Sequence, residues 1–331
     1  MENNKKFAVI GGGSWATAIA KMLCENQEKI AWYMRSTYAL EHLKHQKHNP
    51  NYLSSVAFDT DKLQLTNDIN EAIKFADILI FAIPSAFLSG ELEKMTESLE
   101  GKTIFSAIKG IVPETSLIVG EHFHTHFNIP YENIGVITGP CHAEEVALER
   151  LSYLTIACSD KEKAKYLAKN VSSYYIKTKT SDDIVGTEYA AVLKNIYSIA
   201  AGIAHGLGYG DNFQAVLMSN AIREMKKFIK KVHRMKRNIN DSAYLGDLLV
   251  TGYSVFSRNR MFGNMIGKGY TVKSAQMEMS MVAEGYYAVK SAYNLNLEYK
   301  AKTPIIDAVY QILYEGKEAK AVFAKLTEKL D

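Results

Sequence analysis

Three cysteines, Cys24, Cys141 and Cys158, are all that 331 residues provide. That is too few for a disulfide framework, and no C-x-x-C pair suggests zinc. A reducing, cytoplasmic compartment is the expectation. The opening "MENNKK" carries no apolar signal core. The longest apolar stretch, "ADILIFAIPSAFL", is interrupted by Pro84 and falls short of a bilayer span, which argues against membrane insertion. Charge of one sign is scarce as well. A net +3 is too mild to point to nucleic acid, although it suits small anionic ligands. Repeats and low-complexity tracts are missing. With 47% hydrophobic and 23% charged residues, an ordinary globular chain remains, long enough for two domains.

Up to about residue 180, short apolar runs alternate with helical patterns. Strand candidates lie at 7–11, 29–35, 76–84, 102–110, 133–140, 152–158 and 174–180. Several are apolar throughout rather than alternating, as strands covered on both faces should be. Helical segments such as 14–24 and 68–75 separate them, which predicts an α/β fold with a doubly wound parallel sheet over residues 1–182. Strand signals then nearly vanish. Helical spacing runs through 183–205, 212–235, 241–250, 273–293 and 303–314, which predicts an all-helical domain over 183–331.

The first strand ends in G-x-G-x-x-A, carried by Gly11, Gly13 and Ala16. Gly11 permits a tight turn, Gly13 lets a pyrophosphate approach the backbone, and Ala16 allows close helix–strand packing. The N–H groups of Ser14 and Trp15 would face the anion from the helix N-terminus. Strand before and helix after make this a dinucleotide signal. At the end of the second strand, "WYMRST" offers Arg35 where an NAD site usually has an acid. Arg35 can pair with a 2′-phosphate, and the missing carboxylate removes the repulsion that would exclude one. NADP or dual use is therefore expected over strict NAD, with Trp32 and Tyr33 read as core.

Three more strand ends carry unusual residues: "AIPS", "AIKG" and "ITGP". Ligands in open α/β sheets bind outside the carboxyl ends of strands, so Pro84, Lys109, Gly139 and Pro140 are expected near the nicotinamide. In the helical half, "AAVLKNI" sets Lys194 and Asn195 in an apolar helix. "LGDLLVT" adds Asp247, and "SRNRMFG" places Ser257, Arg258 and Asn259 just before a helical pattern, where they can meet a phosphate. The set suits a small phosphorylated carbonyl compound.

Taken in order, "IPS", "IKG", "TGP", "LKN", "GLGYGDN", "LGDLLVT", "SRNRMFG" and "VAEG" resemble bacterial-type NAD(P)-dependent glycerol-3-phosphate dehydrogenases over nearly the whole chain. The resemblance implies a Rossmann-type N-terminal domain, a helical C-terminal domain, a homodimer and no metal. It implies reversible reduction of dihydroxyacetone phosphate to sn-glycerol 3-phosphate with NADP(H) and/or NAD(H), with Lys194 as the proton-transfer residue. Lys109, Gly139, Cys141, Lys194, Asp247, Ser257, Arg258 and Asn259 fall on substrate-binding positions. Gly11, Gly13, Ser14, Trp15, Arg35, Lys109, Ala143, Arg258, Val282 and Glu284 fall on cofactor-binding ones. For catalysis the lysine pKa should drop from its usual value of about 10. Apolar neighbours and Lys109 act in that direction, and Asp247 opposes them.

The chain departs from the family's pattern in three places. Cys141-His142 replaces a small pair after "GP", "SNA" (219–221) replaces an arginine-containing stretch, and a proline before "TIAC" is missing. Lesser signals carry less. "HFHTH" (122–126) reads as a solvated loop rather than a metal site, and the basic residues at 226–237 read as a solvated helix face. The glycines of "GIAHGLGYGDN" read as a loop, with Asp211 and Asn212 capping the next helix. The competing readings are a β-hydroxyacid or ketopantoate reductase and a nucleotide-sensing regulator without catalysis.

Overall fold

The structure is a computed structural model that describes residues 4–279 and 283–331. The chain divides into two compact units, Met1–Ile108 with Leu117–Ile184 and Lys109–Ser116 with Val185–Asp331. The first contains β1 (Phe7–Ile10), α1 (Ser14–Asn26), β2 (Ile30–Tyr33), α2 (Thr37–Gln46), β3 (Leu63–Thr66), α3 (Ile69–Phe75), β4 (Ile78–Phe81) and α4 (Leu88–Leu92). It continues with β5 (Thr103–Ser106), α5 (Val119–Phe127), β6 (Ile134–Thr138), α6 (Ala143–Ala147), β7 (Ser152–Cys158), α7 (Lys161–Val171) and β8 (Ile176–Ser181). The second unit is helical: α8 (Ile184–Gly206), α9 (Asp211–Val232), α10 (Asp247–Tyr253), α11 (Arg258–Gly267), α12 (Val272–Glu278), α13 (Glu284–Tyr299), α14 (Pro304–Leu313) and α15 (Ala319–Thr327).

The eight strands are ordered β3-β2-β1-β4-β5-β6-β7-β8. Every residue of β1, β2, β4, β5 and β6 is buried, which is why β1, β2 and β4 are apolar without alternation, while β5 and β6 bury Thr103, Ser106 and Thr138 as well. From β3 to β6 all neighbours pair in parallel, and the order reverses at β1, which lies between β2 and β4. Such a reversal opens a crevice at the strands' carboxyl ends.

Several expectations need correction. The sheet is mixed rather than wholly parallel: β7 runs antiparallel to β6, with β8 parallel to β7. The link from β6 to β7 holds only the five-residue α6, so the chain returns at the end of the sheet it left. The edge strand β3, "LQLT", is half-buried and alternates apolar with polar residues, so it gives no apolar run in the sequence. "HFHTH" is helical, not a loop. Its residues lie in α5, where His122 is buried and stacks on His126 one turn later, with ring centroids 4.6 Å apart.

In the helical unit, α8 and α11 cross with glycine on both sides. A Cβ at Gly202 would lie 2.1 Å from the Arg260 carbonyl oxygen, and one at Gly206 2.4 Å from that of Asn264. From the other side, a Cβ at Gly263 would lie 2.1 Å from the Ile199 oxygen, and one at Gly267 2.4 Å from that of Ile203. The helices therefore meet backbone to backbone. Gly202 lies inside the helix expected over 183–205, and Gly206 extends that helix by one residue into the expected glycine loop. Asp211 is the first residue of α9 after Gly210, and no side chain caps that helix, contrary to the expected Asp211–Asn212 cap.

A buried glutamic acid side chain, Glu224, ties α9 to α14. Pro304 opens α14 without an N–H, and both oxygens of Glu224 accept from the next two, Ile305 N at 2.8 Å and Ile306 N at 3.0 Å. Burial raises the Glu224 pKa to about 8 although the two N–H groups pull it down, so at neutral pH a largely protonated acid accepts both bonds. Glu224→Ala leaves both N–H groups buried and unpaired, so it is expected to cost about 3 kcal/mol in denaturant unfolding.

Candidate active site

The glycine turn of the first unit follows from its packing. Gly11 has φ +137° and lies against the end of β4, where a Cβ would sit 2.4 Å from the Ala82 oxygen. The Trp32 indole N–H donates to the Gly11 carbonyl at 2.8 Å, and Asn49 Nδ2 donates to the Gly12 carbonyl at 3.1 Å. Trp32 from β2 and Asn49 from the loop after α2 thus fix the turn. At Gly13 a Cβ would meet nothing within 4 Å, and no side chain caps α1, which begins at Ser14. An open backbone cradle before a helix N-terminus fits a pyrophosphate. Trp15 follows in the first turn of α1.

Arg35 stands two residues past β2 and is largely exposed. Trp32 and Tyr33 are core, as read. After β6, Gly139 has φ +117°, and a Cβ there would lie 2.7 Å from the Tyr153 oxygen. Cys141 is buried, and Ala143 opens α6.

In the second unit, Lys194 projects from the buried middle of α8 and its ammonium donates to Asp247 Oδ1. Asp247 is 1% exposed and begins α10 directly after a π-helical turn, Ser242–Gly246. Turns of this kind often mark functional positions. Burial pulls the Lys194 pKa down to about 7, the Asp247 charge opposes this, and the nearby Lys109 charge reinforces it. Burial thus prevails over the ion pair.

Lys109 belongs to this unit too, because the loop Lys109–Ser116 is grouped with it rather than with the sheet. Asn195 Nδ2 holds the Lys109 carbonyl at 3.1 Å. Ser257 caps α11, accepting from the Arg260 N–H at 3.3 Å, and its hydroxyl lies 2.7 Å from that of Ser198. Asn259 Oδ1 accepts from Gly285 N at 2.9 Å, and a Cβ at Gly285 would sit 2.8 Å from the Asn195 oxygen. That close approach brings the start of α13 to the cluster. Burial raises the pKa of Glu284, against the charges of Arg258, Lys109 and Lys194. Three cations and two carboxylates therefore share one region. Val282 lies outside the described residues.

Residues 6–164 match the family described as NAD-dependent glycerol-3-phosphate dehydrogenase N-terminus, and residues 183–324 match the corresponding C-terminus. The chain belongs to the NAD-dependent glycerol-3-phosphate dehydrogenase family. It is 32% identical to the glycerol-3-phosphate dehydrogenase [NAD(P)+] of Streptococcus mutans over 97% of this chain and 95% of that one. It is 33% identical to the Bacillus pumilus protein of the same name, over 95% and 91%. A crystal structure of glycerol-3-phosphate dehydrogenase from Coxiella burnetii superposes with a TM-score of 0.90 at 25% identity, covering 98% of this chain and 99% of that one.

Within this dehydrogenase framework, the stretch "SNA" has its own local partners. Asn220 Nδ2 donates to the Asp331 carbonyl at 2.8 Å, and Arg223 on the next turn pairs with the Asp331 carboxylate. These residues clamp the chain end. Asn195, singled out beside Lys194 but given no role, positions Lys109, and Ser198, which the sequence reading did not single out, positions Ser257. Their signal was available: positions 194, 195 and 198 put three polar side chains on one face of an apolar helix. Glu91, beside Arg35, had no such signal. Among the described residues no group of three His, Cys, Asp or Glu side chains could hold a metal ion, and no helix is long and apolar enough to cross a membrane.

Proposed function

We propose that this chain reversibly reduces dihydroxyacetone phosphate to sn-glycerol 3-phosphate with NADH or NADPH and so supplies glycerol 3-phosphate for phospholipid synthesis. The observation that carries the reading is Lys194: a buried lysine with a pKa near neutrality, paired to a buried aspartate and bordered by further cations. The dinucleotide, when bound, supplies or accepts the hydride. In the first unit Gly11, Gly13, Ser14, Trp15, Arg35 and Ala143 are its proposed contacts, with Gly139 and Cys141 toward the substrate. In the second unit Arg258 and Glu284 are proposed for the cofactor, and Ser257, Arg258 and Asn259 for the phosphate.

In the reductive direction the Lys194 ammonium stabilises the oxyanion developing on the ketone and delivers its proton there. In oxidation neutral Lys194 takes the proton from the secondary hydroxyl. Asp247 orients Nζ, and Lys109 adds positive charge for the phosphate. The sequence family favours a homodimer working in the cytoplasm.

The pH dependence tests these roles. Reduction needs the ammonium, so its kcat/KM should fall as pH rises through about 7. Oxidation needs the free amine, so its kcat/KM should rise through the same midpoint. Asp247 raises the lysine pKa, so Asp247→Asn should move both midpoints to lower pH. Steady-state rates in both directions across a pH series check this. Profiles that are flat or sloped alike in the two directions would remove Lys194 as the proton carrier.

A further inference from the structure

The carboxylate missing from the end of β2 is supplied from elsewhere. Glu91 of α4 is 5% exposed, and its Oε2 accepts from the hydroxyl of Tyr33, the last residue of β2, at 2.5 Å. Its Oε1 accepts from Lys94 Nζ at 2.8 Å and lies 3.8 Å from an Arg35 guanidinium nitrogen. Burial works to raise its pKa, but the hydrogen bonds from Lys94 and Tyr33 and the charges of Lys94 and Arg35 outweigh it and hold Glu91 ionised. Asp68, the residue capping α3, adds a second negative charge that reaches the Tyr33 hydroxyl.

This cluster adjoins the glycine turn. The Gly11 N–H donates to the Tyr33 carbonyl at 3.0 Å, and a Cβ at Gly12 would lie 3.1 Å from Met34 Cγ. The end of β2 next to such a turn is where a dinucleotide's adenosine ribose is read: an acid favours the free hydroxyls, an arginine the 2′-phosphate. Here an acid and an arginine are both present, with Lys94 and Asp68 adding one further charge of each sign, and the acid and the arginine are unequal in freedom. Glu91 is buried and held by two donors, whereas the Arg35 side chain is 71% exposed.

We propose that Glu91 is the specificity-determining residue for the dinucleotide: it neutralises Arg35 and repels a 2′-phosphate, so the chain prefers NADH to NADPH. This rests on the glycine turn being a dinucleotide site and deepens that reading. Discrimination of this kind acts through a repulsive element as much as an attractive one. Arg35 alone points the other way, toward NADP. The buried partner reverses the sign.

The test is direct titration of NADH and NADPH into the full chain, read by quenching of its two tryptophans, one of which is Trp15 at the turn. The unsubstituted chain should bind NADH more tightly. Glu91→Gln keeps an oxygen to accept a hydrogen bond but removes the charge. It should tighten NADPH relative to NADH by about tenfold, the scale of one screened charge contact. Tyr33→Phe removes a hydrogen bond and no charge, so it should leave the ratio near that of the unsubstituted chain. If Glu91→Gln weakens both nucleotides alike, Glu91 only supports the fold and the proposal is overturned. Preferential binding of NADPH by the unsubstituted chain also overturns it. If the unsubstituted chain binds neither nucleotide, the dinucleotide reading of the turn fails and takes the proposal with it.

Discussion

Lys194→Ala should lower kcat for dihydroxyacetone phosphate reduction by about 10²- to 10⁴-fold, the usual contribution of a positioned proton donor. Its affinity for NADH, measured by titration, should stay within a few-fold of the unsubstituted chain. The split follows from where the charges stand: the glycine turn is built from β1, α1 and β4, whereas Lys194 belongs to the helical unit. One complication is physical. Asp247 is 1% exposed, and removing its partner leaves an uncompensated buried carboxylate, a defect of about 3–5 kcal/mol. Lys194→Met combined with Asp247→Asn removes both charges. The same loss of turnover in that folded double variant assigns the effect to proton transfer rather than to stability. Near-normal turnover in either variant would exclude the role.

The second large effect is expected at the α8–α11 crossing. Gly202→Ala or Gly263→Ala places a methyl group 2.1 Å from a backbone carbonyl oxygen, and backbone cannot rotate aside as a side chain can. The helices must separate, which should lower the unfolding free energy by about 3 kcal/mol or more. Turnover should fall as well. Arg260, whose carbonyl contacts Gly202, is three residues from Ser257, so a shift of α11 moves Ser257, Arg258 and Asn259 relative to Lys194. Gly90→Ala is the control. Its Cβ would meet nothing within 4 Å, and that exchange should be neutral or slightly stabilising. Denaturant unfolding of the three variants side by side makes the comparison. Equal stability for all of them would mean that the crossing is not backbone-tight.

Much of this molecule was legible in its sequence because the informative residues are ones that packing does not favour. A lysine and an asparagine in an apolar helix, an aspartate opening "DLLVT" and glycines after a buried strand each conflict with burial, so each signals chemistry. The buried strands were legible for the opposite reason, being apolar throughout. What escaped depends on partners distant in sequence. Glu91 is unremarkable in "SGELEK" until Tyr33 and Arg35 are beside it, with 58 residues separating Glu91 from Tyr33. Glu224 looks like one more charge on a basic helix, and only the N-terminus of α14, 81 residues on, explains its burial. The role of Gly202 and Gly206 was hidden because nothing local reveals that α11 will press on them. The direction of β7 was hidden likewise, since β strand sequences do not encode which way a neighbour runs.

The decisive measurement is nicotinamide absorbance after dihydroxyacetone phosphate is added to the intact chain with NADH, beside parallel additions of unphosphorylated dihydroxyacetone and ketopantoate. Rapid oxidation of NADH with the phosphorylated ketone alone is the expected result. Turnover that ignores the phosphate, or that ketopantoate drives better, would contradict a phosphate-gripping cluster around Lys194.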